Sequence, residues 1–181
     1  MNDEIQRVLA CWFEDLQPAD WFKKSAELDR RIAEDFAECH CAAAAGELFL
    51  WRQTAVGRLA EVIVLDQFSR NIYRDRAAAF TWDGMALVLA QQAVACGADQ
   101  QLSEAQRAFL YMPFMHSESR LIQRESLRLF GELGREDNLR FARRHAEIIE
   151  QFGRYPHRNA LLGRESSEAE RAFLREPGSA F

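Results

Sequence analysis

Three short polar phrases carry most of the chemistry open to this chain. In LDQFSRN, Asp66 and Arg70 are four residues apart, and Gln67 and Asn71 repeat that spacing. Side chains so spaced face each other on a helix. In YMPFMHSE, His116 and Glu118 follow Pro113. In GRYPHRN, Arg154, His157, Arg158 and Asn159 crowd into one loop. The three cationic or near-cationic groups of that loop repel one another unless acids or a ligand answer them. Charge in a packed setting is costly unless paired and hydrogen-bonded, so each phrase calls for partners from elsewhere in the chain.

Several chemistries fit these residues. Arg70, Arg154 and Arg158 could converge with Asn71 and Asn159 on an anion, because guanidinium groups grip carboxylate or phosphate as a fork; Asp66 would then aim Arg70. His116 or His157 titrates near neutrality and could move a proton, assisted by Glu118 or Asp66, although no serine or cysteine is placed as a nucleophile beyond nearby Ser69 and Ser117. His116, Glu118, His157 and Asp66 are ligand types that suit zinc or iron. That set lacks the HExxH spacing, and the reading adopted has no metal and no cofactor. The structural alternative is equally concrete. Asp66 and Arg70 would lock helix docking, His116 and Glu118 would satisfy carbonyls freed by Pro113 and pair with an arginine, and Asn159 would cap a short helix. His145, on an apolar helix face, reads as a satisfied core histidine. Cys39-His40-Cys41 diverge on a helix and make a poor metal site.

The elements that must position these groups are helical. Residues 59–74, LAEVIVLDQFSRNIYR, have no wet face for three turns: Leu59, Val62, Ile63, Val64, Leu65 and Phe68 surround the axis, as in a central buried helix. Thr54 is its expected cap. A first helix starts at a cap at Asn2 or Asp3 and carries Ile5, Val8, Leu9, Trp12, Phe13 and Leu16, ending at Pro18. A second carries Leu28, Ile32 and Phe36 and closes at Gly46. A fourth spans about 77–96 and stops at Gly97. Ser103 and Gln106 form a capping box for the fifth, which Pro113 should kink or break. The chain continues through Leu121, Leu127 and Phe130 to Gly134. Residues 138–152 turn Phe141, His145, Ile148, Ile149 and Phe152 inward, and Ser167 with Glu170 boxes the last helix. Trp12, Trp21, Trp51 and Trp82 read as core.

Composition limits function. A chain of 181 residues that is 48% hydrophobic can bury a full core as a single helical domain over residues 1–181. With a net charge of -5 and no basic block, nucleic acid is excluded as a partner. No apolar run approaches the roughly 20 residues of a membrane span, and the acidic N-terminal stretch is no secretion signal. The four cysteines form no CxxC pair and read as reduced and packed. A cytoplasmic protein is expected.

SEAQRAFL at 103–110 returns as SEAERAFL at 167–174, and DQFSR at 66–70 is echoed by EQFGR at 150–154. Such recurrence suits stacked helix pairs. LDQFSRN, YMPFMHSE and FGRYPHRN, in that order, together with Trp12-Phe13, Trp21-Phe22 and the closing LGRESSEAERAFL, resemble the bacterial family known as domain of unknown function 924. The resemblance covers nearly the whole chain. It implies an all-α, tetratricopeptide-like fold and no reaction; the chain itself reads as a right-handed array of about eight helices in antiparallel pairs. The family's motif positions fall on Asp66, Gln67, Arg70, Asn71, His116, Glu118, His145, Arg154, Pro156, His157, Arg158 and Asn159. One departure is Ser166-Ser167, where the family more often has threonine; a serine hydroxyl still caps. The leading expectation is a binding module holding a small anionic ligand or a peptide carboxylate in a pocket made by the three phrases. The competing one is a hydrolase using His116 or His157 with Glu118 or Asp66. The third is that all three clusters are internal structure.

Overall fold

The computed structural model describes residues 2–179. Every regular element among them is helical: α1 (Asn2–Ala10), α2 (Ala26–Ala44), α3 (Ala55–Ile63), α4 (Ser69–Ile72), α5 (Asp83–Ala95), α6 (Glu104–His116), α7 (Arg120–Leu133), α8 (Glu136–Phe152) and α9 (Glu168–Phe173). A widened, π-type turn at Val64–Phe68 joins α3 to α4, so residues 55–72 form one continuous rod and the described chain has eight rods. A similar turn at Cys11–Asp15 extends α1. Asn2 and Asp3, the expected caps, lie within α1 itself.

Most helix ends follow from local chemistry. The Ser25, Thr54, Ser119 and Ser167 side chains each accept a backbone N–H of the following first turn, and Ser103 and Ser167 complete full capping boxes. This is how a helix start satisfies its unpaired donors. Gly153 ends α8 at φ +71°, a left-handed conformation that costs other residues. Gly57 has a different role. A Cβ there would lie 2.1 Å from the Trp51 carbonyl oxygen, so only glycine lets the short turn Phe49–Gln53 sit against the base of α3.

The rod at 55–72 is the axis of the core. Leu59, Val62, Ile63, Val64, Leu65 and Phe68 are completely buried. α2 packs on α4 and the widened turn, α1 and α5 pack on α3, and α5 to α8 pack as successive neighbours. The connection between α7 and α8 spans only 134–135, which makes that pair antiparallel. A satellite core of Ile148, Ile149, Tyr155 and Phe173 seats the C-terminal segment on α8.

Several expectations are corrected. The helix foreseen at 77–96 is a short tight turn, Ala77–Phe80, followed by α5. Pro113 does not break α6. It lies in the last turn, where it removes one ladder bond, and the helix runs on to His116. Phe141 and Leu121 face solvent, 49% and 70% exposed: Phe141 lies at the edge of the buried stripe of α8, and Leu121 lies on the side of α7 away from Ser126, Leu129, Phe130 and Leu133. Trp12 and Trp51 are buried, whereas Trp21 and Trp82 are only partly so. Cys41 and Cys96 are exposed rather than packed. The repeat is local, since α9 has 6 residues where α6 has 13.

Candidate functional site

Asp66 lies in the widened turn of the central rod and is 1% exposed. Burial alone would push its carboxyl pKa up, but Arg70, then His116 and Gln67, hold it well below the usual carboxylate range. Its Oδ1 is 3.0 Å from Arg70 Nη1 and 2.8 Å from His116 Nδ1, and Oδ2 accepts from Gln67 Nε2 at 2.5 Å. Widened turns of this type recur at functional positions in helices. An ionised carboxylate can only accept, so His116 carries its proton on Nδ1. Nε2 is then the ring nitrogen left for other work. Burial, and secondarily Arg70, press the His116 pKa below its ordinary value against the pull of Asp66, which leaves the ring neutral at pH 7.

From Arg70 the network reaches Asp83, in the first turn of α5. Arg70 Nη1 and Nη2 grip Asp83 at 3.1 and 3.2 Å, and Nη1 also donates to the Asp66 carbonyl. Arg158, from the turn Pro156–Arg158 after α8, donates Nη1 to the same Asp83 at 3.1 Å. Two guanidinium groups thus share one carboxylate. Arg158 Cζ lies over the rings of both Phe80 and Tyr155, 4.5 and 4.7 Å from their centroids. Burial, followed by repulsion from Arg70, lowers its pKa despite Asp83. Asp83 is the guanidinium's one hydrogen-bond partner among the described residues, and its buried Nε has none. A guanidinium has five N–H donors, and this one uses a single donor internally.

Beside this chain opens a cavity of about 400 Å³. Asp83, His116, Glu118 and Arg158 line it, with Thr81 and Ser117, against apolar walls that include Phe80, Leu87, Pro113 and Leu162. Glu118 faces it but is already engaged. Its Oε1 accepts the Tyr155 N–H at 2.7 Å, and Arg164 grips both its oxygens at 2.6 and 2.9 Å. Those contacts outweigh burial and lower its pKa.

The three polar phrases therefore meet, but not completely. Asp66, Gln67, Arg70, His116, Glu118 and Arg158 gather around the cavity or directly behind it. Arg154 does not join them: it pairs in forked fashion with Glu170 of α9 at 2.7 and 2.9 Å. Asn71 turns to Asp29. Asn159 bonds Ser166 Oγ and caps no following helix. The carbonyls at the end of α6 are satisfied by Gln123 Nε2 and the Tyr155 hydroxyl, not by His116 or Glu118. His157 lies in the turn after α8 with its ring 5.6 Å from Tyr155. His145 is buried on α8, with Nδ1 against the Phe141 carbonyl. Among the described residues no three His, Cys, Asp or Glu side chains are grouped to hold a metal ion, so His116, Glu118, His157 and Asp66 do not make the ligand set considered above.

Sequence reasoning missed Asp83, Arg164, Phe80 and Tyr155. Asp83 had a signal, an acid in the first turn of a helix, but dipole complementarity explains that placement without any site.

A family model described as a bacterial protein of unknown function, DUF924, matches residues 8–178. The chain belongs to the DUF924 family. No curated protein matches it. This DUF924 chain is similar to a solved structure of a protein of unknown function from Agrobacterium tumefaciens, with 37% identity and a TM-score of 0.92 over 96% of this chain and 98% of that one. No helix among the described residues is long and apolar enough to cross a membrane.

Proposed function

We propose that this DUF924 protein is a binding module whose cavity takes a small organic anion, its acidic group on Arg158 and its apolar body against Phe80, Leu87 and Leu162. One observation carries this reading. Arg158 is 7% exposed, lies over two aromatic rings, shares its counter-ion with Arg70, and has most of its donors unused. A buried guanidinium in that state favours an anion that offers charge and acceptors together.

Sulfate and benzenesulfonate test it, because neither titrates near neutrality. Both should raise the melting temperature of the wild type and of Arg154→Met, while Arg158→Met should not respond. Equal responses in all three proteins would refute the assignment. Benzenesulfonate should act at lower concentration than methanesulfonate if the apolar walls contribute.

A second reading is favoured by one contact, Asp66 on His116 Nδ1 at 2.8 Å. A histidine so oriented presents Nε2 as a base, as hydrolases require. Turnover of p-nitrophenyl esters by the wild type that vanishes in His116→Gln would support it; turnover that survives the substitution would remove it.

A further inference from the structure

The charges around the cavity cancel. Asp66, Asp83 and Glu118 face Arg70, Arg158 and Arg164 in direct pairs. An anion entering this balanced, part-buried cluster leaves it at least one charge short on the positive side. Such a deficit costs free energy in a site only partly open to solvent. The cluster needs a group that can become positive when the ligand arrives.

His116 meets that need by position. It lines the cavity, and its Nδ1 rests on a carboxylate that would stabilise an imidazolium. Among the described residues no hydrogen bond within the protein engages its Nε2, the atom that would receive the proton. The charged and titratable groups around it are Asp66 from the widened turn, Arg70 from α4, Asp83 from α5, His145 from α8, and Glu118, His157 and Arg158 from the segments flanking α7 and following α8. From α7 comes the neutral Gln123. The other histidines nearby are worse placed. His145 and His157 do not line the cavity, and burial holds them far from protonation, down to about 3 and about 4.

We infer that the cavity binds its anion together with a proton: His116 is neutral when the cavity is empty and becomes an imidazolium when the anion is seated, donating Nε2–H to the ligand beside Arg158. This rests on the anion-binding reading and adds to it a second ligand-contacting residue and a pH dependence. In balance, the neutral imidazole takes one proton from solvent as the anion enters and releases it when the anion leaves. The ligand class narrows accordingly, to oxyanions with at least two acceptor oxygens, one for the guanidinium and one for the imidazolium.

Sulfate is a suitable probe because its own charge is constant between pH 6 and 8. Isothermal titration of the wild type in two buffers of different ionisation enthalpy should show proton uptake on binding, and affinity should fall as pH rises from 6 to 8, by up to about tenfold per pH unit where a whole proton is taken up. His116→Gln should bind sulfate more weakly, with no proton uptake and a flat pH profile. Nitrogen-15 spectra of the wild-type histidines at pH 7 give a readout that needs no variant: the His116 ring should move to the imidazolium pattern on adding sulfate. Binding with equal affinity at both pH values and no uptake would overturn this inference alone. Uptake that persists in His116→Gln would also overturn it. No binding to the wild type at pH 6 would overturn both it and the anion-binding reading.

Discussion

Arg154 and Arg158 stand one helical turn apart in the same loop, and they end in different situations. Arg154 lies over the Ser167 capping box. It donates Nε and Nη2 to Glu170 and a further bond to the Glu165 carbonyl, so its donors are matched by fixed protein acceptors. Arg158 lies over the cavity, gives one donor to a carboxylate it must share, and rests against the rings of Phe80 and Tyr155. The residue type is the same and the two positions are adjacent on the fold. What differs is whether the protein supplies the acceptors. An arginine whose fork is filled internally fastens two segments; one whose fork is left open beside a cavity has donors to offer to whatever enters it.

The comparison can be broken in several places, and the largest effect should come from its foundation. Asp66→Ala removes one of the two carboxylates on Arg70 together with the acceptor of Gln67 and His116, and breaking a buried pair of this kind costs about 3–5 kcal/mol. A urea midpoint unchanged from wild type would mean that the network behind the cavity bears no structural load.

Next comes Arg158→Met. It deletes a buried cation with an incomplete counter-ion, so stability without ligand should stay within about 1 kcal/mol of wild type or rise, even as the sulfate response disappears. A large loss would place Arg158 with Arg154 as a fastener and dissolve the contrast.

Acid should weaken the wild type through histidines near the cavity. His157 and His145 have folded pKa values of about 4 and about 3, below the ordinary 6.5. The folded state therefore binds fewer protons than the unfolded one, and the stability present above pH 6.5 is lost as pH falls toward 4 and then 3. The melting temperature should drop across that window, and less steeply in His157→Asn. A flat profile in the wild type would contradict the burial of these rings.

The smallest effect is expected for Glu170→Gln, which turns SEAERAFL into SEAQRAFL. The capping box survives, because Gln106 makes the same bonds in α6. Only the charge opposite Arg154 goes, so thermal denaturation should shift slightly downward and sulfate binding should not change. A change in anion affinity would tie the two ends of the loop together.

Much of this was readable before the fold. The buried rod at 55–72 was visible because Leu59, Val62, Ile63, Val64, Leu65 and Phe68 leave no polar face, and the ion pair within it because Asp66 and Arg70 are one turn apart. The capping boxes were legible since they join residues three apart. The site was legible in part. His116 and Arg158 could be named as candidates, but Arg154, Asn71 and Asn159 were assigned to the wrong neighbourhood. Their partners, Glu170, Asp29 and Ser166, lie on other segments, and nothing in the spacing along the chain announces them.

The amino-acid sequence by itself determined the helices, their caps and the one rod that had to be buried, because these depend on residues within a turn or two of each other. Tertiary structure decided which charges meet. Asp83 received both Arg70 and Arg158, Glu118 received Arg164, and His116 was set on Asp66 with its second nitrogen left over. Those choices depend on how helices cross and which carboxylate lies within about 3 Å of which guanidinium, and that distance exists only once the core has closed.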